Sequence, residues 1–181
     1  MSLIENFRNI FKIEDLRNRI FYTIGILMVY RMGSYITLPG VDASALLAST
    51  AGANNSLLGL FDMFVGGAFS RAGVFALGIM PYITASIIIQ LMGAVVPYFQ
   101  KLQREGEEGR RKITRLTRYG TVAITALQAI AFSINLIATS PQAIIIGQFG
   151  FTISSVIVLT AGTVFVMWLG ERISDRGIGN G

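Results

Sequence analysis

The stretch from Ser56 to Gln100 most constrains what this chain can become. It reads SLLGLFDMFVGGAFSRAGVFALGIMPYITASIIIQLMGAVVPYFQ. It is apolar and about twice as long as one membrane crossing needs, since roughly 20 residues at ~1.5 Å rise cross a hydrocarbon core. It is also interrupted: Asp62, Gly66-Gly67, Ser70, Arg71 and Gly73 break it near the middle. Leu57–Ala68, before the break, makes about three turns and is too short to span. Ala72–Phe99, after it, is long enough and contains Pro81. The pattern predicts a short re-entrant half-helix, a sharp turn at Ser70–Gly73, and then a full transmembrane helix. Broken backbone at membrane depth survives only where protein buries it or where it lines a water-filled cavity. A pore or a transport pathway is therefore expected.

Composition agrees with a membrane protein. Apolar residues make up 52% and charged residues 14% of the chain, against about 45–50% and 25% in soluble domains. The 20 glycines suit close helix packing in lipid. Cys and His are both absent, which removes disulfides, thiol nucleophiles, imidazole bases and the usual zinc ligands together. No cofactor or metal site is expected.

In chain order, residues 1–19 alternate apolar and basic positions at helical spacing and read as an amphipathic helix on the membrane surface, or as a solvated terminus. Residues 20–38 form the first span. Its apolar run exceeds the roughly 7–15 residues of a cleavable signal peptide, and no small-x-small cleavage site follows cleanly. Arg31 lies inside this span; it is either functional or a structural cation that snorkels outward or packs on protein. Pro39-Gly40 ends the span and opens an outer loop, 39–56, in which Asp42 can cap a short helix. The half-helix region is 57–71 and the second span 72–97. A basic loop, 98–118, leads to a third span, 119–139. A second outer loop, 140–150, leads to a fourth span, 151–170, and residues 171–181 return to charge.

Charge distribution sets the expected topology. Arg8, Lys12, Arg17 and Arg19, then Lys101, Arg104, Arg110, Arg111, Lys112, Arg115 and Arg118, then Arg172 and Arg176, fall on one side if the spans alternate. Residues 41–55 and 140–150 carry no Lys or Arg. The positive-inside rule then puts both ends in the cytoplasm, and the half-helix must enter from the outer side and return to it.

Several polar or regularly spaced residues inside the spans need reasons. Ile79, Ile83, Ser86 and Gln90 share one face of span two at spacings of i, i+4, i+7 and i+11. On the residues alone this face suits a pore lining and a lipid-facing aliphatic surface equally. Gln128 and Asn135, with Thr121 and Thr125, suggest a polar stripe on span three that faces protein or water. The basic run EGRRK, with Arg110, Arg111 and Lys112, either contacts an acidic partner or serves only as the topology signal.

Three stretches in this order resemble one known family. GLFDMFVGGAFSRAGVFALGIMPYITASIIIQLM resembles the plug and second span of the SecY-type protein-conducting channel. EGEEGRRKITRLTRYGT resembles that family's second cytoplasmic segment, and MWLGERISDRGIGNG the end of its fourth span; RMGSYITLPGVD also fits. The resemblance implies an all-α polytopic membrane protein: four transmembrane helices and one re-entrant plug half-helix, part of a ten-span channel with two inverted halves. On that pattern the chain is an N-terminal fragment that cannot enclose a pore alone.

The resemblance also implies roles. Ile79 and Ile83 would join the pore constriction, where an apolar ring fits loosely round any chain and resists ions by dewetting. Leu57, Leu58, Leu60, Phe61, Met63, Phe64, Gly66 and Gly67 would form the plug, the glycines acting as its hinge; the other reading is a fixed re-entrant support. Ser86, Gln90 and Gln128 would lie at a lateral gate, whose weak polar contacts let two helices part, unless they are permanent interhelical glue. The implied function is passage of unfolded polypeptides across the bacterial cytoplasmic (inner) membrane, and sideways release of hydrophobic segments into lipid. The implied partners are the SecE and SecG subunits, the SecA motor ATPase, the ribosome, signal sequences and unfolded polypeptide substrates, and membrane lipids. The chain itself is expected not to be an enzyme, energy coming from a partner that pushes.

Two rival classes fit less well. A secondary transporter also uses a broken helix and an inverted repeat, but usually places ionisable groups at the midplane, and spans two to four have none. An intramembrane hydrolase would need a Ser-Lys pair, and every Lys falls in an expected cytoplasmic segment.

Overall fold

The structure of the chain, a computed structural model, describes residues 13–50, 63 and 65–179. Its described residues form six α-helices and one 3-10 turn, joined by tight turns and two isolated antiparallel bridges. The all-α expectation holds.

Helix α1, Glu14–Gly33, opens with Glu14 and Asp15 and closes with Arg31. Acid at a helix start and base at its end both favour the helix dipole. The first span, expected over 20–38, is helical only as far as Gly33; residues 34–38 turn back and bridge another segment. Leu38-Pro39-Gly40-Val41 makes a tight turn, with the Val41 amide donating to the Leu38 carbonyl at 3.3 Å. Gly40 has φ +86°, and Pro then Gly at the two central positions is the type II signature. Helix α2, Ala43–Thr50, follows the expected cap. The Asp42 carboxylate accepts from the Ser44 amide at 2.9 Å, the Ala45 amide at 3.4 Å and the Ser44 hydroxyl at 2.5 Å.

The half-helix expected at 57–71 lies largely outside the described residues. Gly66 and Gly67 adopt left-handed φ of +72° and +82°, and the chain then runs through successive turns as far as Ile79. The second span, expected as helix from residue 72, therefore begins as a helix only at Met80. Helix α3 is Met80–Val95, with Pro81 in its first turn rather than inside it. Proline has no amide to give to an earlier carbonyl, so it suits a helix start. Pro97 ends the same helix by forcing Val96 into extended backbone, φ −97° and ψ 121°. Helix α4, Pro97–Arg104, leaves at 98° to α3.

The basic segment expected as a loop over 98–118 is helical instead. After α4 and a turn at Gly106, helix α5 runs unbroken over Gly106–Thr139, 34 residues. That is ~51 Å of helix at ~1.5 Å per residue, against a hydrocarbon core of ~30 Å. A 3-10 turn, Pro141–Ala143, leads to helix α6, Gln148–Arg176, 29 residues. α5 and α6 are each long and apolar enough to cross a membrane, and the bent pair α3–α4 is apolar enough together for a broken span or a re-entrant loop.

α5 is the central element, packed between α3 and α6, and α1 packs on the far side of α6. The buried face of α5 is the run Thr117, Thr121, Thr125, Ala129, Phe132, Ser133 and Leu136. Its hydroxyls return to carbonyls one turn earlier, at 3.0 Å for Thr117, 2.8 Å for Thr121 and 2.6 Å for Thr125. No polar atom of these threonines is left unpaired, so small side chains can hold the two long helices close.

The bundle has a charged end and an uncharged end. Arg118 meets Glu171 at 2.7 Å, and the Ile178 amide donates to the Thr23 hydroxyl at 3.0 Å. These contacts gather the basic parts of α1, α5 and α6 at one end. At the other end, the Asp42 amide donates to the Ala143 carbonyl at 2.8 Å and the Ile145 amide to the Gly40 carbonyl at 2.9 Å. The hydrophobic core lies towards this second end, with Leu38, Leu46, Ala72, Phe151 and Leu159 all but fully buried.

Candidate functional site

The non-helical segment before α3 is the centre of the arrangement. Irregular backbone needs partners for its own amides and carbonyls, and the turn after α1 supplies them. The Leu38 amide donates to the Ala72 carbonyl and the Val74 amide to the Ile36 carbonyl, both at 2.8 Å. Ala72 is held at φ +47°, a left-handed conformation that costs an L-residue roughly 1–2 kcal/mol.

Side chains lock the same segment between α1 and α6. Phe75 stacks on Tyr30 at 5.5 Å and on Phe165 at 6.0 Å. A Cβ added at Gly33 would stand 2.2 Å from the Phe75 ring, and one added at Gly162 would stand 2.3 Å from the Val74 carbonyl oxygen. Each long helix thus carries a glycine notch where the segment crosses it. The sequence reading missed this wedge. Gly33 and Gly162 sit in apolar helices, and nothing local to them points to Phe75 or Val74.

Ile79 and Ile83 come out at the mouth of this segment. Ile79 caps α3 and Ile83 lies one turn on, its amide donating to the Ile79 carbonyl at 3.1 Å. Pro81, Ala85 and Gly93 are the buried residues of α3, whereas Ile83, Ile87 and Leu91 are exposed. Ser86 and Gln90 continue that open side, joined by a 3.1 Å hydrogen bond from the Gln90 amide to the Ser86 hydroxyl. Gln128, on α5, is half-buried, and no hydrogen bond among the described residues joins it to that pair. The expected stripe on α5 divides: Thr121 and Thr125 are buried, Gln128 is intermediate, and Asn135 is exposed.

Of the expected plug residues, Leu57, Leu58, Leu60, Phe61 and Phe64 lie outside the described residues. Met63 is exposed, and Gly66 and Gly67 form the turn already described. Arg31, flagged in the sequence as a charge within a span, donates from Nη1 to the Gly66 carbonyl at 2.8 Å. The Tyr30 hydroxyl reaches the neighbouring Val65 carbonyl at 3.4 Å. The last turn of α1 therefore holds the turn at Val65-Gly66.

At the charged end, Arg110 and Arg111 line a shallow depression of about 400 Å³ with Arg115 and Arg118. Lys112 does not join them; its ammonium pairs with Glu105 at 3.4 Å. Among the described residues no cluster of three or more His, Cys, Asp or Glu could hold a metal.

Two long apolar helices, a sharply bent helix pair, and a buried non-helical crossing wedged between α1 and α6 define an α-helical membrane protein of the kind that carries irregular backbone through its interior. The SecY family profile matches residues 73–181. The chain is 45% identical to the protein translocase subunit SecY of Vibrio cholerae over 169 residues, covering 93% of this chain and 38% of that protein. It is 47% identical to the protein of the same name from Escherichia coli K12, with 92% and 38% covered, and 48% identical to that of Streptomyces scabiei, with 99% and 43% covered. The chain belongs to the SecY family. It spans about two fifths of the length of these relatives.

Proposed function

We propose that this chain is the N-terminal part of the central pore-forming subunit of a bacterial Sec protein translocase. The carrying observation is the 45–48% identity, over more than nine tenths of the chain, to proteins named protein translocase subunit SecY. In this reading the whole protein passes unfolded polypeptides across the cytoplasmic membrane and releases hydrophobic segments sideways into lipid. It does so without covalent chemistry of its own.

The open face of α3 supports a role for Ile79 and Ile83 in the constriction, because an exposed apolar stripe beside buried irregular backbone suits a surface that faces further protein or a passage. Ser86, Gln90 and Gln128 would belong to the lateral gate. Leu57–Ala68 would be the plug, with its hinge at Gly66-Gly67. Arg110 and Arg111, open on one side of α5, would meet an acidic partner: the SecA motor, ribosomal RNA or anionic lipid. SecE and SecG would complete the assembly. The charged end of the bundle would face the cytoplasm.

The test is a chimera in which this chain replaces the matching N-terminal segment of the Escherichia coli relative, in cells depleted of the native subunit. Export of a signal-bearing reporter should be restored. A chimera that inserts and resists protease but exports nothing would sink the reading. In the same chimera, replacing Ile79 and Ile83 with Ser should wet the constriction and raise ion conductance in planar bilayers. Conductance that stays at background would remove both residues from the pore.

A further inference from the structure

The uncharged end of the bundle is not quite uncharged. Between Arg19 and Lys101 the sequence carries only Arg31, Asp42, Asp62 and Arg71. The Asp42 carboxylate is committed to the α2 cap, and Asp62 lies outside the described residues. Arg31 and Arg71 nevertheless meet at one place. Their guanidinium carbons lie 5.2 Å and 4.6 Å from the centre of the same Tyr35 ring. Both are drawn to the ring's quadrupole, and both cations fall within about one Debye length, ~10 Å, of each other.

Neither arginine takes part in any of the ion pairs among the described residues. Arg31 has committed Nη1 to the Gly66 carbonyl. Arg71 Nη1 is buried and has no hydrogen-bond partner among the described residues. A guanidinium presents five donors in a fixed fork, and a buried donor left unmet is costly. Among the described residues the pair meets no anion with several acceptor oxygens.

We propose that Arg31, Arg71 and Tyr35 form a phosphate-binding site, and that the phosphate belongs to the headgroup of an anionic glycerophospholipid. The inference rests on the membrane topology of the proposed function. Phosphate oxygens match the planar guanidinium fork and accept from both arginines at once. The apolar surroundings select the lipid over free phosphate. Met28 and Met32 lie one turn apart on the face of α1 beside Arg31, and Ile36 follows Tyr35; all are well exposed. An acyl chain can lie along that strip while the headgroup sits at the arginines. Tyr35, itself 54% exposed, is an aromatic residue of the type enriched at the membrane–water interface.

The test uses the purified full-length chimera and native mass spectrometry, titrating phosphatidylglycerol, phosphatidylcholine and inorganic phosphate in turn. Phosphatidylglycerol should occupy one site that Arg71→Gln weakens about tenfold, the loss of a charge-assisted hydrogen bond. Arg71→Lys should retain part of the binding, and Tyr35→Leu should weaken it without removing a charge. Unchanged thermal midpoints would show that the variants fold. Equal phosphatidylglycerol retention by parent and Arg71→Gln overturns the proposal. So does inorganic phosphate binding as tightly as the lipid, and so does lipid binding that emerges only after Asp62→Asn, which would make Asp62 the resident counter-ion. Binding is read on purified protein, so a failure of export leaves it independently measurable.

Discussion

Asp42 shows how much one side chain settles at the uncharged end. It starts α2, and its neighbours carry the connections between the turn after α1 and the 3-10 turn before α6. The Ser44 hydroxyl, then the Ser44 and Ala45 amides, hold its carboxyl below the usual carboxylate pKa. A depressed folded-state pKa gives stability that is full above the unfolded value, about 3.9, and that fades as pH falls through the lower folded value. Amide-exchange protection of α2 should therefore fall below about pH 4. Asp42→Asn, also a good cap, should remove that pH dependence while keeping the helix. Protection unchanged down to pH 2 in the parent would refute the cap's role. Phe75 is the second decisive residue, lodged in the Gly33 notch. Phe75→Ala should cost about 3–5 kcal/mol, the range for an emptied aromatic site. Gly33→Ala should cost about 1–3 kcal/mol from overpacking. Thermal unfolding in detergent measures both, and two near-neutral results would mean the wedge bears no packing.

At the scale of elements, the helices divide according to what lies beyond their ends. If the charged end faces the cytoplasm, a cysteine at Gln142 should react with impermeant thiol reagents only from outside. A cysteine at Asp175 should react only from the cytoplasm. The reverse pattern would overturn the orientation. Much of this layout was legible in the sequence: the apolar runs, the cap at Asp42, the turn at Pro39-Gly40 and the break at Gly66–Gly73 all follow from local residue chemistry. Two elements were not. Residues 72–79 have enough apolar character for a helix, yet they run as turns. The hydrogen bonds and notches that hold them come from Ile36, Leu38, Gly33 and Gly162, far away in sequence. The basic segment was misread for a different reason. Its charge suggested a loop, but Glu, Arg and Lys are strong helix formers. Pairs such as Glu107 with Arg111 at i, i+4 add modest support.

For the whole molecule, the site was less legible than the fold. The sequence marked Arg31 and Arg71 as anomalous charges, but Tyr35, which brings them together, carried no signal of its own. The shared face of Ile79, Ile83, Ser86 and Gln90 was legible because a single helix sets their spacing, whereas Gln128 sits on another helix whose rotation no local pattern fixes. That rotation belongs to α5, and α5 passes without a break from the arginine-lined depression into the threonine seam against its neighbours. The two ends are therefore phase-locked. Inserting one alanine between Arg118 and Tyr119 should rotate the arginine face by about 100° relative to the seam, while inserting seven should restore the phase and displace it ~10 Å outward. Export by the chimera should fail with one inserted residue and recover at least in part with seven; equal activity in both would mean that the angle carries no information. A single helix that carries both the apolar seam and the arginine face behaves as one shaft, so anything that docked on the arginines would keep a fixed bearing on the open face of α3.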